Sequence, residues 1–145
     1  MSASKSSSYE ILTLESNDQQ RTVDIRTGTV SVDYYEDIFS PTITAKIKVA
    51  NTGTSIAPKD NPDGPKQSIY HGLPLRGGER LRMKILDRGG GKLGLDFATD
   101  SSKYLFVSSI TDVVSETQRE SFTLNLVSSE AITNETTRVI KKYNT

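Results

Sequence analysis

Apolar and polar residues alternate with a period of two along most of this chain, and that pattern leaves little but β-structure open to it. Ile43, Ala45, Ile47 and Val49 are interleaved with Thr42, Thr44, Lys46 and Lys48. Leu81, Met83 and Ile85 alternate with Arg80, Arg82 and Lys84, and Phe122, Leu124 and Leu126 with Ser121, Thr123 and Asn125. Successive side chains of a strand point to opposite faces, so each run has one oily and one polar face, as a half-solvated antiparallel strand requires. Further strands are expected over 9–14, over 21–35 with a break at Thr27-Gly28, over 93–97 behind a glycine hairpin tip at 89–91, and over 104–110. In the last of these Tyr104 and Phe106 are apolar as well as Leu105 and Val107, which predicts burial on both sides. Residues 115–120 read as a polar turn. Helical spacing is confined to the end, where Ser129 can cap a helix running to about Tyr143.

About seven short strands and one terminal helix predict a single mainly β domain, a small antiparallel β-barrel or sandwich whose closure hides its sheet edges. Residues 1–8 read as a flexible tail, 9–128 as the β domain and 129–145 as the helix, in position to lead into further domains. The irregular stretch 51–78 holds every proline but Pro41. Its length predicts a protruding loop that orders on a partner.

Composition removes several kinds of function. The chain has 145 residues with no cysteine, which excludes disulfides and thiolate metal sites. Lys+Arg and Asp+Glu number 18 each, so the net charge is +0 and no overall field draws the chain to nucleic acid or anionic membrane. No apolar run approaches the roughly 18 residues of a membrane helix, and residues 1–8 lack the apolar region of a secretory leader.

The motifs that could carry chemistry fail in their contexts. His71 is the one histidine, and no carboxylates cluster near it in sequence to complete a metal site. No serine sits in a Gly-x-Ser-x-Gly turn. Gly89-Gly90-Gly91-Lys92-Leu93-Gly94 matches G-x-G-x-x-G, but a strand rather than a helix is expected after it, so a hairpin tip is the better reading. Asp60-Asn61-Pro62-Asp63-Gly64 hints at a calcium loop, yet Pro62 and His71 stand where ligands are needed. Asn134-Glu135-Thr136 is a glycosylation sequon by letters alone.

Two surface groups remain. Tyr34, Tyr35, Glu36, Ile38 and Phe39 join acids and aromatics to an apolar pair at a strand end, a composition that fits a contact surface better than an active site. Arg80, Arg82 and Lys84 share one strand face and have no alternating aromatics, which favours charge pairing with protein over nucleic-acid binding.

The order of segments resembles a known family. Val30-x-Val32-x-Tyr34-Tyr35-Glu36-Asp37-Ile38-Phe39-Ser40-Pro41 leads into the strand Ile43 to Val49; Leu73-Pro74-Leu75-Arg76-Gly77-Gly78-Glu79 leads into the strand from Arg80; the segments ending at Glu130 follow. This progression, over most of 21–130, resembles the N-terminal tube-like domain of the baseplate hub proteins of T4-like contractile-tailed phages. The resemblance implies a tail-tube type β-barrel with a flanking helix, and a structural task. The chain would form a ring, with the hub a trimer in that family, joining the tail tube to the central spike. Partners would be other copies, the tail-tube protein, the spike and the baseplate wedge proteins, with DNA only as passing cargo. It implies a place in the virion after synthesis in the host cytoplasm, no catalytic residues, no cofactor, no metal and no small-molecule substrate. Hub proteins of the family continue into further domains. Two other readings compete: a carbohydrate- or protein-binding β-sandwich of an adhesin-like particle protein, and a hydrolase, which the residue inventory opposes.

Overall fold

The computed structural model describes residues 7–51, 56, 60–87, 93–117 and 119–137. The protein is mainly β. Its strands are β1 (Ser8–Glu15), β2 (Thr22–Asp24), β3 (Thr29–Tyr35), β4 (Thr44–Asn51), β5 (Arg80–Leu86), β6 (Leu95–Phe97), β7 (Leu105–Glu116) and β8 (Arg119–Val127), with short helices α1 (Ile69–Gly72) and α2 (Ser129–Thr136). All eight strands belong to one sheet in the order β2-β1-β5-β7-β8-β4-β3, and β6 lies beside β5 off this path. Every pairing is antiparallel.

The alternation read in the sequence sets which face is buried. Along β4, Ala45, Ile47 and Val49 are buried and the residues between them exposed; along β8, Phe122, Leu124 and Leu126 are buried. The inward residues of β1, β4, β5, β7 and β8 form a single core. One sheet can enclose a core only by curling, and two contacts show the curl. Tyr34 on β3 meets Phe97 on β6 with ring centroids 5.9 Å apart, although the two strands are remote in the sheet. The segment joining β2 to β3 touches strands near both ends of the sheet: Ile25 N–H donates to the Leu12 carbonyl on β1 at 3.0 Å, and a Cβ on Gly28 would lie 2.9 Å from the Ala50 carbonyl on β4.

The expected closure of a barrel, or its alternative of two stacked sheets, is not what the ladder shows. The sheet is single and open. Between β2 and β3 the chain makes a 3-10 turn, Arg26–Gly28, whose hydrogen bonds run along the chain and cannot bridge strands. The break anticipated at Thr27-Gly28 is therefore the reason that the ladder stays open.

Three local expectations also change. The segment 51–78 does not simply protrude. Ile56, Ile69, Leu73 and Leu75 are buried in the core, and Tyr70 lies against Phe122 at 6.1 Å; residues 52–55 and 57–59 lie outside the described residues. The polar residues Ser115, Glu116, Arg119 and Glu120 are ladder residues of a long β7–β8 hairpin rather than a six-residue turn. Helix α2 is shorter than expected: Ser128 takes the cap position, Thr137 has already left helical geometry, and residues 138–145 lie outside the described residues. Thr133 and Thr136 turn their hydroxyls back onto Ser129 and Ile132 carbonyls, a use of threonine that weakens a helix. The glycine tip 89–91 and residues 1–6 also lie outside the described residues.

Candidate assembly interface

Among the described residues, the turn between β3 and β4 carries the most exposed large apolar side chains. Ile38 and Phe39 are each 93% exposed. They are nonetheless held in a defined turn: the Asp37 carboxylate accepts from Phe39 N–H at 2.9 Å, and Ser40 N–H donates to the Asp37 carbonyl at 3.0 Å. Ser40 Oγ in turn accepts from Thr42 N–H at 3.3 Å. An Asp two residues past the end of β3 thus fixes two hydrophobic side chains in water, where burial of each would release about 1.5–3 kcal/mol.

Of the residues expected at this surface, Tyr34 does not face outward. It points inward onto Phe97, and its hydroxyl donates to Glu36 at 2.8 Å. Burial, and then the hydrogen bond to Glu36, push its ionisation up to about 12. Tyr34 therefore anchors the turn from within. Tyr35, on the opposite face of β3, is exposed. Val30, 60% exposed because a register shift between Thr29 and Ser31 ejects it from the pairing, adds to the same strand. Four of the eight large apolar residues exposed among the described residues (Val30, Tyr35, Ile38, Phe39) thus belong to edge strand β3 and its turn. Val30 is not among the surface residues expected from the sequence.

The basic row on β5 is placed as expected on the outer face, between buried Leu81 and Met83. It is not a free patch. Lys84 Nζ is 2.9 Å from Glu10 and Arg80 Nε is 3.7 Å from Glu15, both on β1, and the Arg82 guanidinium lies over the Tyr104 ring at 5.7 Å. β1 lies directly beside β5 in antiparallel register, which is what brings these carboxylates to the cations. Along the ladder β7 and β8 separate β5 from β4 and β3, while across the curl Tyr34 reaches Phe97 on β6, the strand beside β5.

The step Leu73 to Glu79 has a local cause. Glu79 is fully buried, and its carboxylate accepts from Arg76 N–H at 2.7 Å and Gly77 N–H at 2.9 Å. Gly77 and Gly78 adopt φ of 107° and 86°, which side chains disfavour, and so let the chain fold around that carboxylate and dock on Val107.

His71 lines a polar hollow of about 300 Å³ with Ser16, Asp18, Arg21, Asp60 and Gln67. The Ser16 hydroxyl is already engaged, donating to Asp18 at 2.6 Å and accepting from Arg21 N–H at 3.0 Å, while Arg21 Nη1 donates to the Gly72 carbonyl at 2.7 Å. These bonds tie the β1–β2 turn to α1. Among the described residues no group of three or more histidine or carboxylate side chains could hold a metal ion.

Comparison with protein-family models, with curated proteins and with solved structures gives no match.

Proposed function

We propose that this chain is a structural subunit of a contractile-tail baseplate hub, part of a ring that joins the tail tube to the central spike. The observation that carries the reading is the β3 edge with its turn. Ile38 and Phe39 are held fully exposed by a hydrogen-bonded turn instead of being folded away, and contiguous exposed apolar groups rimmed by charge mark contact surfaces. The acids Asp33, Glu36 and Asp37 supply the rim. The open curled sheet is read as a tail-tube type barrel whose seam is spanned by Ile25 and the 3-10 turn, in keeping with the resemblance of its segment order to that family. On this reading the chain is not an enzyme, takes no cofactor, and works in the virion with other copies, the tube protein, the spike and wedge proteins as partners.

The test is negative-stain electron microscopy of the purified chain, alone and mixed with a contractile-tail tube protein. Rings are expected in at least one preparation. A chain that stays monomeric at high concentration and gives no rings in either overturns the proposal.

A further inference from the structure

Helix α2 has little to hold it. It has eight residues and none of them is buried; Ile132 is 37% exposed. Helices this short are marginal in water unless packing supports them, and the back-bonded hydroxyls of Thr133 and Thr136 weaken this one further. The Ser129 hydroxyl ties it to the Ser102 carbonyl at 3.1 Å. Beside that bond lies a hollow of about 740 Å³ with mostly apolar walls, lined by Pro41, Thr42, Lys103, Glu130, Thr133 and Thr137 among others.

The chain itself leads out of this hollow's wall. Thr137 has left helical geometry for φ of −97° and ψ of 119°, so the backbone is extended where it passes the hollow. The sequence that follows is Arg138-Val139-Ile140-Lys141-Lys142-Tyr143-Asn144-Thr145, which mixes three apolar side chains with three cations. Extended backbone advances about 3.3–3.6 Å per residue, so a few residues cross a hollow of this size. Charge within the hollow is balanced, Lys103 against Glu130. The adjoining hollow shares Thr42 and is lined, among the described residues, by Glu36 and Asp37 and by no base. A basic segment that crosses the first hollow toward the second meets those carboxylates.

We infer that the hollow between α2 and Pro41-Thr42 is the docking site of this chain's own residues 138–145. Attachment at Thr137 makes the contact intramolecular, with an effective concentration on the order of millimolar that a free partner would have to match. Apolar side chains of the segment cover the open side of α2 and supply the packing that so short a helix needs. The contact also ties α2 to Pro41 and Thr42, which carry the β3–β4 turn into β4. The same segment of a second copy could make these contacts only without the advantage of attachment. The inference does not rest on the ring reading, which concerns what covers Ile38 and Phe39 and leaves the hollow beside α2 unassigned.

The test is amide NMR and hydrogen exchange of the full chain beside Val139→Ser/Ile140→Ser/Tyr143→Ser. In the unaltered chain exchange at residues 139–143 is expected to be slowed about tenfold or more relative to an unstructured peptide, at every protein concentration. The triple variant should lose that protection and shift the amides of Thr42, Ser102, Lys103 and Thr133. Thr133→Lys, at an exposed position on the wall of the hollow, should release the segment in the same way without touching its sequence. Unprotected amides at 139–143 in the unaltered chain overturn the inference, as do shifts confined to the neighbours of the substituted residues. Protection that disappears on dilution also overturns it, because a second copy is then the occupant. Failure of the ring test leaves these outcomes unaffected.

Discussion

The β3–β4 turn and the outer face of β5 both carry residue types that interfaces favour, yet they are built in opposite ways. On β5 the cations are answered within the fold, by Glu10, Glu15 and the Tyr104 ring. At the turn the backbone is satisfied and the side chains of Ile38 and Phe39 are not covered by anything among the described residues. A charged row on a central strand lies beside strands that supply its partners. An apolar pair on an edge turn has no neighbour to meet. Position in the sheet, more than residue type, separates a surface whose groups are answered within the fold from one left open to water.

Substitutions sharpen that contrast in order of their effect on stability. Leu81→Ala, on the inward side of β5, removes a fully buried side chain and should cost about 2–5 kcal/mol in chemical denaturation. Arg82→Glu comes next. It loses the contact with Tyr104, worth about 0.5–2 kcal/mol, so it should lower the unfolding midpoint and act on the fold before it acts on assembly. Ile38→Ser/Phe39→Ser should change stability by no more than about 0.5 kcal/mol, since both side chains already face water. If the double turn variant unfolds the chain while Arg82→Glu does not, the contrast is reversed.

The two regions also separate by pH. Asp96, opposite Lys84 on β5, accepts from the Thr99 hydroxyl and from the Ala98 and Thr99 amides, which hold its carboxyl at about 2 against an ordinary 3.8. A depressed acid contributes stability that is present above pH 3.8 and is lost as pH falls through about 2. Asp96→Asn should remove that acid limb from thermal melts. Tyr34 works at the other end. Its ionisation is raised from 10.0 to about 12, so its contribution is whole below pH 10.0 and is lost as pH rises through about 12. Tyr34→Phe should flatten the alkaline limb and leave the acid one alone; a variant that alters both limbs would show that the turn and β5 are not independent.

Much of the fold was legible because period-two alternation reports directly on burial. Ala45-Ile47-Val49 and Phe122-Leu124-Leu126 are inward as read, and the step at Thr27-Gly28 does divide one strand into two. What was not legible depended on long-range pairing. Nothing local in Arg80-Leu81-Arg82-Met83-Lys84 announces that β1 will set Glu10 and Glu15 beside it. The polar stretch Ser115 to Glu120 looks like a turn because strands without a buried face lose their alternation, and here β7 has no buried face beyond Ile110. Ile69, Leu73 and Leu75 were hidden by the prolines and glycines around them, which mark irregular backbone but say nothing of whether it lies over the core. At the candidate surface, Ile38 and Phe39 were found as an apolar pair among acids, whereas the inward turn of Tyr34 required Phe97 from a strand remote in the chain.

The account rests most heavily on the turn being a surface made to be covered. Sedimentation velocity of the chain at high concentration, alone and with a tail-tube protein as the proposed partner, with Ile38→Ser/Phe39→Ser run beside it, addresses this directly. The account predicts ring-sized assemblies for the unaltered chain and a folded monomer for the variant. Assemblies of the same size from both would contradict it.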